Sequence, residues 1–304
     1  MQQTIRIGTR DSKLALWQAN TVKALLEKNG AKTELVPVKS EGDLDLVTPL
    51  YAMGVQGVFT KTLDAYLLSN KIDIAVHSLK DVPTQLAQGI AQASVLPRAS
   101  YKDIFVPHPA KNDIHAHFSI ATGSVRRKAQ WLNRYPGSSI DNLRGNVQTR
   151  LQKLTDSNWD GAIFAAAGLE RIGVRPESAI DLDWMLPAPA QGAVMVACRT
   201  GEVDLLALCN LFNDEETAVC VKIERDFLKT LMGGCSTPIS ALAVVEDGQI
   251  VFKGNILSLD GKDKIEIEQQ HPLTSAENLG VQLANELLKN GADRIVASIR
   301  HLGE

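Results

Sequence analysis

The sequence predicts an α/β protein made of two α/β units followed by a smaller α+β unit. Strand patterns and amphipathic helix patterns alternate in two blocks, about residues 1–97 and 101–188, with Pro97 near their junction. In the rest of the chain a long helix precedes two or three grouped strands, and further helices follow. Alternating strands and helices are typical of parallel sheets with helices on both faces, so we expect two such sheets.

The elements follow from hydrophobic periodicity and from helix start and stop signals. In the first block we predict a strand at 4–9, a helix at 12–29 ending at Gly30, a strand at 33–38, a helix at 58–69 and a strand at 72–77. In the second block we predict a strand at 119–122, helices at 125–134 and 147–155, and a buried strand at 161–166.

A rigid segment at residues 186–193, which contains two prolines and a glycine, follows the second block. We expect the strand at 193–198 to return the chain to the first sheet and to make this segment a hinge. The remaining predicted elements are a helix at 215–232, strands at 241–245, 249–257 and 264–270, and a helix at 276–290.

Composition excludes several classes of protein. Hydrophobic residues make up 44% of the chain and charged residues 22%, both typical of globular proteins. The net charge of −3 argues against bulk binding of nucleic acid or acidic membrane. No apolar run reaches the roughly 18–20 residues of a membrane span, and the N-terminus lacks a secretion signal. The four cysteines form no Cys-x-x-Cys pair, so we expect reduced thiols, a cytoplasmic protein and no metal.

Positive charge is concentrated in one part of the sequence. Residues 121–175 hold nine basic and four acidic residues, a balance of +5, which leaves −8 for the rest of the chain. Ser124 is expected to cap a helix whose first turn carries Arg126 and Arg127, and Arg10 and Lys13 flank the start of the first helix. A helix N-terminus already disfavours cations, so these positions favour an anionic ligand, although a solvated basic face would also fit.

Two further residues are candidates for chemistry. Asp81 follows the strand at 72–77, and it is either a turn residue paired with Lys80 or a carboxylate that stabilises a cation or moves a proton. Cys235 follows Gly233 and Gly234 in a loop after the long helix, where it is either an inert thiol or a reactive one. The other three cysteines lie in apolar patterns typical of buried residues.

Separated motifs resemble the porphobilinogen deaminase family, in the order found in that family and across essentially the whole chain. They are IGTRDSKLALWQA at 7–19, AVHSLKDVP at 75–83, LRGNVQTR at 143–150, AAGLER at 166–171, QGA at 191–193 and GGC at 233–235. The resemblance implies two α/β domains similar to the lobes of periplasmic binding proteins, and a small C-terminal α+β domain. It implies domain 1 at 1–98 and 190–212, domain 2 at 99–189 and domain 3 at 213–304.

The resemblance also implies a transferase of tetrapyrrole (haem) biosynthesis, a hydroxymethylbilane synthase. In this reaction porphobilinogen loses ammonia to give an electrophilic azafulvene, which is attacked by the growing pyrrole chain. Four units are added to a covalent dipyrromethane primer, and hydrolysis then releases hydroxymethylbilane. The primer would be attached by a thioether to Cys235, because a soft thiolate traps an azafulvene well. Each pyrrole carries an acetate and a propionate, so a cleft rich in arginine suits the product.

Residue roles follow by resemblance alone. Asp81 corresponds to the catalytic aspartate, which would also contact the cofactor and stabilise the positive charge that develops on deamination. The cofactor would be held by Cys235, Lys80, Asp81, Ser124, Arg126 and Arg127. The substrate would be bound by Arg10, Ser12, Lys13, Phe59, Arg144, Arg150, Arg171 and Gln191.

Two other classes of protein stay open at the level of sequence. One is a non-catalytic two-lobed binding protein for a small dicarboxylate, and the other is a cysteine-dependent hydrolase or acyltransferase with a histidine near Cys235. The resemblance favours a monomer that binds porphobilinogen, without nucleic acid or membrane. It leaves open a hand-off of the product to uroporphyrinogen-III synthase.

Overall fold

The computed structural model describes residues 4–40, 57, 59–111, 118–231 and 237–301. Residues 300 and 301 are described by their backbone alone. In chain order the strands and α-helices are β1 (Ile5–Arg10), α1 (Lys13–Lys28), β2 (Thr33–Val38), α2 (Lys61–Leu68), β3 (Ile74–Ser78), β4 (Ile90–Val95), β5 (Asp103–Pro107), β6 (Ser119–Ala121), α3 (Val125–Arg134), β7 (Ser139–Asp141), α4 (Val147–Thr155), β8 (Gly161–Ala165), α5 (Ala166–Glu170), β9 (Ile180–Asp181), β10 (Val194–Arg199), α6 (Val203–Asn210), α7 (Glu215–Thr230), β11 (Ile239–Glu246), β12 (Gln249–Leu257), β13 (Lys264–Pro272), α8 (Leu279–Leu287) and α9 (Asp293–His301). None of the helices in these ranges is both long and apolar enough to cross a membrane.

The first two sheets share one pattern of strands. The first has the order β2-β1-β3-β10-β4 and the second has the order β7-β6-β8-β5-β9. In each sheet three strands are parallel, and the fourth and fifth are each antiparallel to the strand before them. Both fourth strands, β5 and β10, follow a segment in which the chain passes from one sheet to the other. The two sheets are therefore built alike and are linked twice.

The predicted α/β class, with a small C-terminal sheet unit, is confirmed. The expectation of parallel sheets is correct for three strands of each sheet and wrong for the rest, because β10 runs antiparallel to β3 and β4, and β5 runs antiparallel to β8 and β9. A strand that enters a sheet from the other unit needs no crossover helix, so it can pair in the antiparallel direction. The return of β10 to the first sheet is as predicted. Periodicity missed the strands β4, β5, β7 and β9 and the helices α5 and α6.

Apolar side chains form a separate core on each side of both α/β sheets. One cluster packs α1 against the first sheet through Ala19, Val22 and Leu26, and another packs α2 against its opposite face through Leu63 and Leu67. The second sheet is likewise covered by one cluster around Leu154 and Phe164 and another around Trp131. Burial on both faces explains why the central strands read as continuous apolar runs.

The C-terminal unit has a single antiparallel sheet, β11-β12-β13, with helices packed on one face. Its core joins Phe227 of α7, Phe252 of β12 and Leu283 of α8. Strand β13 alternates buried or half-buried with exposed residues, typical of an antiparallel strand with one solvated face. The long helix α7 therefore packs against this sheet and also faces the first sheet, where Val221 joins the core beside Leu79.

The two segments that link the sheets, residues 96–102 between β4 and β5 and residues 182–193 between β9 and β10, run side by side. The amide of Ala99 donates to the carbonyl of Gly192 at 3.1 Å. Gly192 has a φ of +88°, and a Cβ placed there would lie 2.6 Å from the carbonyl oxygen of Ala99. Only glycine fits both this left-handed conformation and this close approach. The contact holds the two linking segments together at the base of the cleft between the sheets.

Candidate active site

A cleft of about 890 Å³ lies between the two α/β sheets, where several loops follow the ends of strands. Such a position is where open α/β sheets generally bind ligands. All of the predicted site residues that the structure describes line this cleft: Arg10, Ser12, Lys13, Phe59, Lys80, Asp81, Ser124, Arg126, Arg127, Arg144, Arg150, Arg171 and Gln191. Residues 232–236, including Cys235, lie outside the described residues, whereas Leu228, Thr237 and Ile239 on either side line the cleft.

The electrostatic character of the cleft is strongly positive. Among its described lining residues, nine are lysine or arginine and two, Asp11 and Asp81, are acidic. Several of the cations are deeply buried, including Arg126, Arg127 and Arg144. Cations that are close together and removed from water are stabilised by anions. The arrangement therefore favours a ligand with several carboxylates or phosphates.

Asp81 lies in a short turn that is fixed from both sides. Strand β3 ends at Ser78, Leu79–Asp81 forms a single 3₁₀ turn, and Leu79 is fully buried. Val82 is extended, as expected of a residue that precedes proline. The guanidinium of Arg225, on α7, donates to the carbonyls of Val82 at 2.9 Å and Pro83 at 2.6 Å. Helix α7 therefore holds the loop that presents the Asp81 carboxylate to the cleft.

Arg126 and Arg127 are bound to a carboxylate that sequence reasoning missed. Asp103 is fully buried, and its Oδ2 accepts from Arg126 Nη2 at 2.6 Å while Oδ1 accepts from Arg127 Nη2 at 2.7 Å. The two guanidinium groups hold the pKa of Asp103 at about 2, although burial alone would raise it. Asp103 therefore supplies part of the negative charge that the cations at the start of α3 require, and the Nε of Arg126 stays buried without a hydrogen-bond partner.

Gln191 links the same cluster to Lys80. Its Nε2 donates to Asp103 Oδ1 at 2.9 Å and to the carbonyl of Tyr101 at 2.8 Å, and its Oε1 accepts from Lys80 Nζ at 3.2 Å. Burial, together with the charge of Arg127, lowers the pKa of Lys80 to about 8. Gln191 was predicted as a substrate contact, and the structure shows that its amide is already engaged by the protein. It positions the Lys80 ammonium at the edge of the cleft.

Arg150 of α4 and Arg171 at the end of α5 both approach the cleft from the side of the second sheet. Arg150 Nε donates to the carbonyl of Gly145 at 2.7 Å, and burial lowers the pKa of Arg150 to about 10. Arg171 Nη2 donates to the carbonyl of Gly192 at 2.7 Å. The Nε of Arg171 and the Nε2 of Gln148 are buried without a hydrogen-bond partner. Buried donors of this kind usually have partners, so they fit an anionic ligand in the cleft.

Two serines and one aromatic side chain complete the predicted set. Ser12 and Ser124 cap α1 and α3, and their Oγ atoms accept from the amides of Ala15 at 3.3 Å and Arg127 at 3.4 Å. The cap at Ser124 was predicted from the sequence and is confirmed, whereas the cap at Ser12 was not predicted. The guanidinium carbon of Arg10 lies 4.2 Å from the centre of the Phe59 ring, a cation–π contact that fixes both groups at the cleft wall.

A buried ion pair beside the segments that link the two sheets was also missed by sequence reasoning. Arg98 Nη1 and Nη2 donate to the two carboxylate oxygens of Glu224 at 2.7 and 2.8 Å. Glu224 is fully buried and also accepts from the amides of Ala190 at 2.6 Å and Ala243 at 2.7 Å. This one carboxylate therefore joins α7, the linking segment and β11. No local spacing signals it, because its partners lie far apart in sequence.

Comparisons with known proteins agree with the motifs and the cleft. Residues 5–207 match the family model described as porphobilinogen deaminase, dipyrromethane cofactor binding domain, and residues 218–289 match porphobilinogen deaminase, C-terminal domain. Porphobilinogen deaminase of Syntrophotalea carbinolica is 40% identical over 301 residues, which cover 97% of this chain and 96% of that protein. Porphobilinogen deaminase of Geotalea uraniireducens is 39% identical over 302 residues, which cover 98% and 95%.

Among solved structures, the periplasmic VFT2 domain of Bordetella pertussis BvgS is similar with a TM-score of 0.42 and 14% identity, over 68% of this chain and 85% of that one. The two family models together span both α/β sheets and most of the C-terminal unit. The full-length relatives are similar over nearly their entire length. The chain therefore belongs to the porphobilinogen deaminase family.

Proposed function

We propose that this chain is a hydroxymethylbilane synthase, a transferase that condenses four porphobilinogen molecules with loss of ammonia and releases hydroxymethylbilane. The observation that carries this proposal is the cleft itself, in which Asp81 lies among nine lysines and arginines. A growing polypyrrole gains an acetate and a propionate with each unit, so its negative charge rises step by step. The cleft offers the cations that such a chain requires.

The residues of the cleft fit a dipyrromethane cofactor. Its carboxylates match the buried donors on Arg126, Arg171 and Gln148 that have no hydrogen-bond partner. When bound, the dipyrromethane supplies the free pyrrole carbon to which substrate units are added. We propose that Cys235 anchors it through a thioether, in keeping with Leu228 and Thr237, which line the cleft on either side of residues 232–236. Lys80, Ser124, Arg126 and Arg127 would hold its carboxylates.

We assign the catalytic role to Asp81. Its carboxylate accepts a hydrogen bond from a pyrrole N–H and stabilises the positive charge that develops as the aminomethyl group of porphobilinogen loses ammonia. Arg225 and the buried Leu79 fix the loop in advance, so little reorganisation is needed when the charge appears. The Asp81 carboxylate is thus the group that distinguishes an enzyme from a simple anion-binding cleft.

Substrate side chains would be bound by cations from both sheets. We assign this role to Arg10, Ser12, Lys13, Phe59, Arg144, Arg150 and Arg171, whereas Gln191, predicted as a substrate contact, positions Lys80. Arginine grips a carboxylate with two parallel hydrogen bonds, so a set of arginines at different depths suits a product of increasing length. We further propose that the protein acts as a cytoplasmic monomer and that its product passes to uroporphyrinogen-III synthase.

The proposal is tested by Asp81→Asn, with Asp156→Asn on an exposed helix end as the matched control. Loss of the charge should lower kcat for porphobilinogen consumption by about 100-fold or more, as when other preorganised charge-stabilising groups are removed. Intact mass should show that the variant still carries its cofactor. Unchanged turnover in Asp81→Asn would contradict the assignment, and reversible binding of porphobilinogen without any product would favour a dicarboxylate-binding protein.

A further inference from the structure

A small crevice of about 70 Å³ adjoins the cleft between α1 and the end of β3. It shares Arg10, Phe59 and Asp81 with the cleft, so the two spaces meet at the catalytic carboxylate. Its volume accommodates a few molecules the size of water but not a substituted pyrrole ring. The crevice is therefore too small for the substrate and lies directly beside the group that acts on it.

The crevice is lined by polar side chains that are removed from bulk water. Gln18 is 2% exposed, and its Nε2 donates to Ser78 Oγ at 2.9 Å. His77 is 6% exposed, and no group within the described part of the chain hydrogen-bonds its ring. Polar groups removed from bulk water normally have a hydrogen-bond partner, either a protein group or an ordered small molecule such as water. His77 thus indicates that the crevice holds a hydrogen-bonding guest.

The charges around the crevice favour a neutral guest. Burial and the adjacent Arg10 lower the pKa of His77 to about 4, so the ring is uncharged at neutral pH and offers one donor and one acceptor. Among the described lining residues, Arg10 is the one cation and Asp81 the one carboxylate, and Gln18 and Ser78 are uncharged. A guest that both donates and accepts hydrogen bonds, and that carries no charge, suits these walls best.

We propose that this crevice receives the ammonia released from porphobilinogen, an inference that rests on the proposed function. In that step the bond between the methylene carbon and the protonated amine nitrogen breaks, and both electrons leave with nitrogen. Neutral ammonia departs and the positive charge stays on the pyrrole, where Asp81 stabilises it. Ammonia is protonated to ammonium only after it reaches bulk solvent. Its removal from the cleft limits its return to the electrophilic carbon.

Isotope exchange tests this inference on the cofactor-loaded enzyme. Turning-over enzyme is supplied with ¹⁵N-ammonium chloride at alkaline pH, with potassium chloride keeping the ionic strength constant, and ¹⁵N in the remaining porphobilinogen is measured by mass spectrometry. Reversal of the cleavage should incorporate ¹⁵N, with saturation as the crevice fills. In Gln18→Leu the half-saturating ammonia concentration should rise about tenfold, as one or two hydrogen bonds are lost. His77→Phe, which also fills the space, should raise it further.

The control variant is Asn20→Leu, because Asn20 is exposed on the same helix and does not line the crevice. It should leave the half-saturating concentration unchanged. Equal half-saturating ammonia concentrations in Gln18→Leu, His77→Phe and wild type would overturn the inference and assign the crevice to water. Wild-type turnover without any incorporation of ¹⁵N into porphobilinogen would overturn it as well. Failure of the wild-type protein to consume porphobilinogen would instead remove the proposed function, and the inference with it.

Discussion

Asp103 is the residue on which the positive wall of the cleft depends. It neutralises part of the charge of Arg126 and Arg127, from which it accepts three hydrogen bonds, and it accepts a fourth from Gln191. Its pKa, held at about 2, means that the carboxylate is ionised in the folded protein at all ordinary pH values. The pKa is lower than the usual value of about 3.9 for aspartate, so this contribution to stability is present above pH 4 and is lost as the pH falls towards 2.

Asp103→Asn should therefore destabilise the fold strongly. Removing one partner of a buried ion pair leaves uncompensated charge, which costs about 3–5 kcal/mol. Asp183→Asn is the matched control, because Asp183 also pairs with a cation but its side chain is 74% exposed; it should change the free energy of unfolding by less than about 1 kcal/mol. Urea unfolding of the three proteins checks both values, and equal stability of Asp103→Asn and wild type would show that Asp103 does not neutralise the two arginines.

At the scale of secondary-structure elements, helix α7 connects two parts of the site. Its Arg225 holds the carbonyls of Leu79, Val82 and Pro83, and its C-terminal end leads towards residues 232–236. Motion of α7 would therefore move the Asp81 loop. The helix thus couples the C-terminal unit to the loop of Asp81.

Arg225→Gln should loosen the Asp81 loop without unfolding the protein. A misplacement of about 1 Å in a catalytic group costs up to about 100-fold in rate, so we expect kcat to fall by about 10- to 100-fold. KM should change little, because the substrate-binding arginines are untouched, and Arg225→Lys should recover part of the loss. Steady-state kinetics that determine kcat and KM separately, together with a measurement of the unfolding temperature, check this prediction. A drop in unfolding temperature with an unaltered kcat would assign Arg225 to stability alone.

Local signals in the sequence predicted the helices and strands that carry the site. They did not predict the contacts between side chains inside the site. The cap at Ser124 was predicted, because it depends on near neighbours in the chain. Asp103 and Glu224 were missed, since their partners come from remote segments and β5 is too short for a clear pattern. The antiparallel pairing of β5 and β10 was also missed. Each of these strands enters its sheet from the other α/β unit, and this connection depends on remote parts of the chain and not on near neighbours.

At the scale of the whole molecule, two adjacent linking segments join two sheets of the same strand pattern. The C-terminal unit is attached at the point where the two linking segments contact each other. Glu224 connects this unit to the linking segment through Ala190, which has a φ of +62° in the left-handed region. Arg171, a cleft residue, reaches the same segment through the carbonyl of Gly192. The geometry of the cleft therefore depends on this junction. We keep the division into domains at 1–98 with 190–212, 99–189 and 213–304 as a proposal.

Gly192→Ala should disrupt the junction more than the same change at a matched glycine. Gly201 has the same φ of +88° but nothing within 4 Å of an added Cβ, whereas at Gly192 the Cβ would meet the Ala99 carbonyl oxygen at 2.6 Å. Gly201→Ala should cost about 1–2 kcal/mol from backbone strain alone. Gly192→Ala should cost about 1–3 kcal/mol more, because the added methyl overpacks the junction. Equal losses in urea unfolding would show that the two linking segments separate readily.

The central claim is that this cleft builds a polypyrrole on a primer held by Cys235. The most direct test is the intact mass of the purified protein after incubation with porphobilinogen, followed by peptide mapping, with Cys235→Ser as the control. We predict an added mass equal to two condensed pyrroles on the peptide that carries Cys235, and no such adduct in Cys235→Ser. A wild-type protein that carries no adduct after this incubation, or carries it on another peptide, would contradict the account.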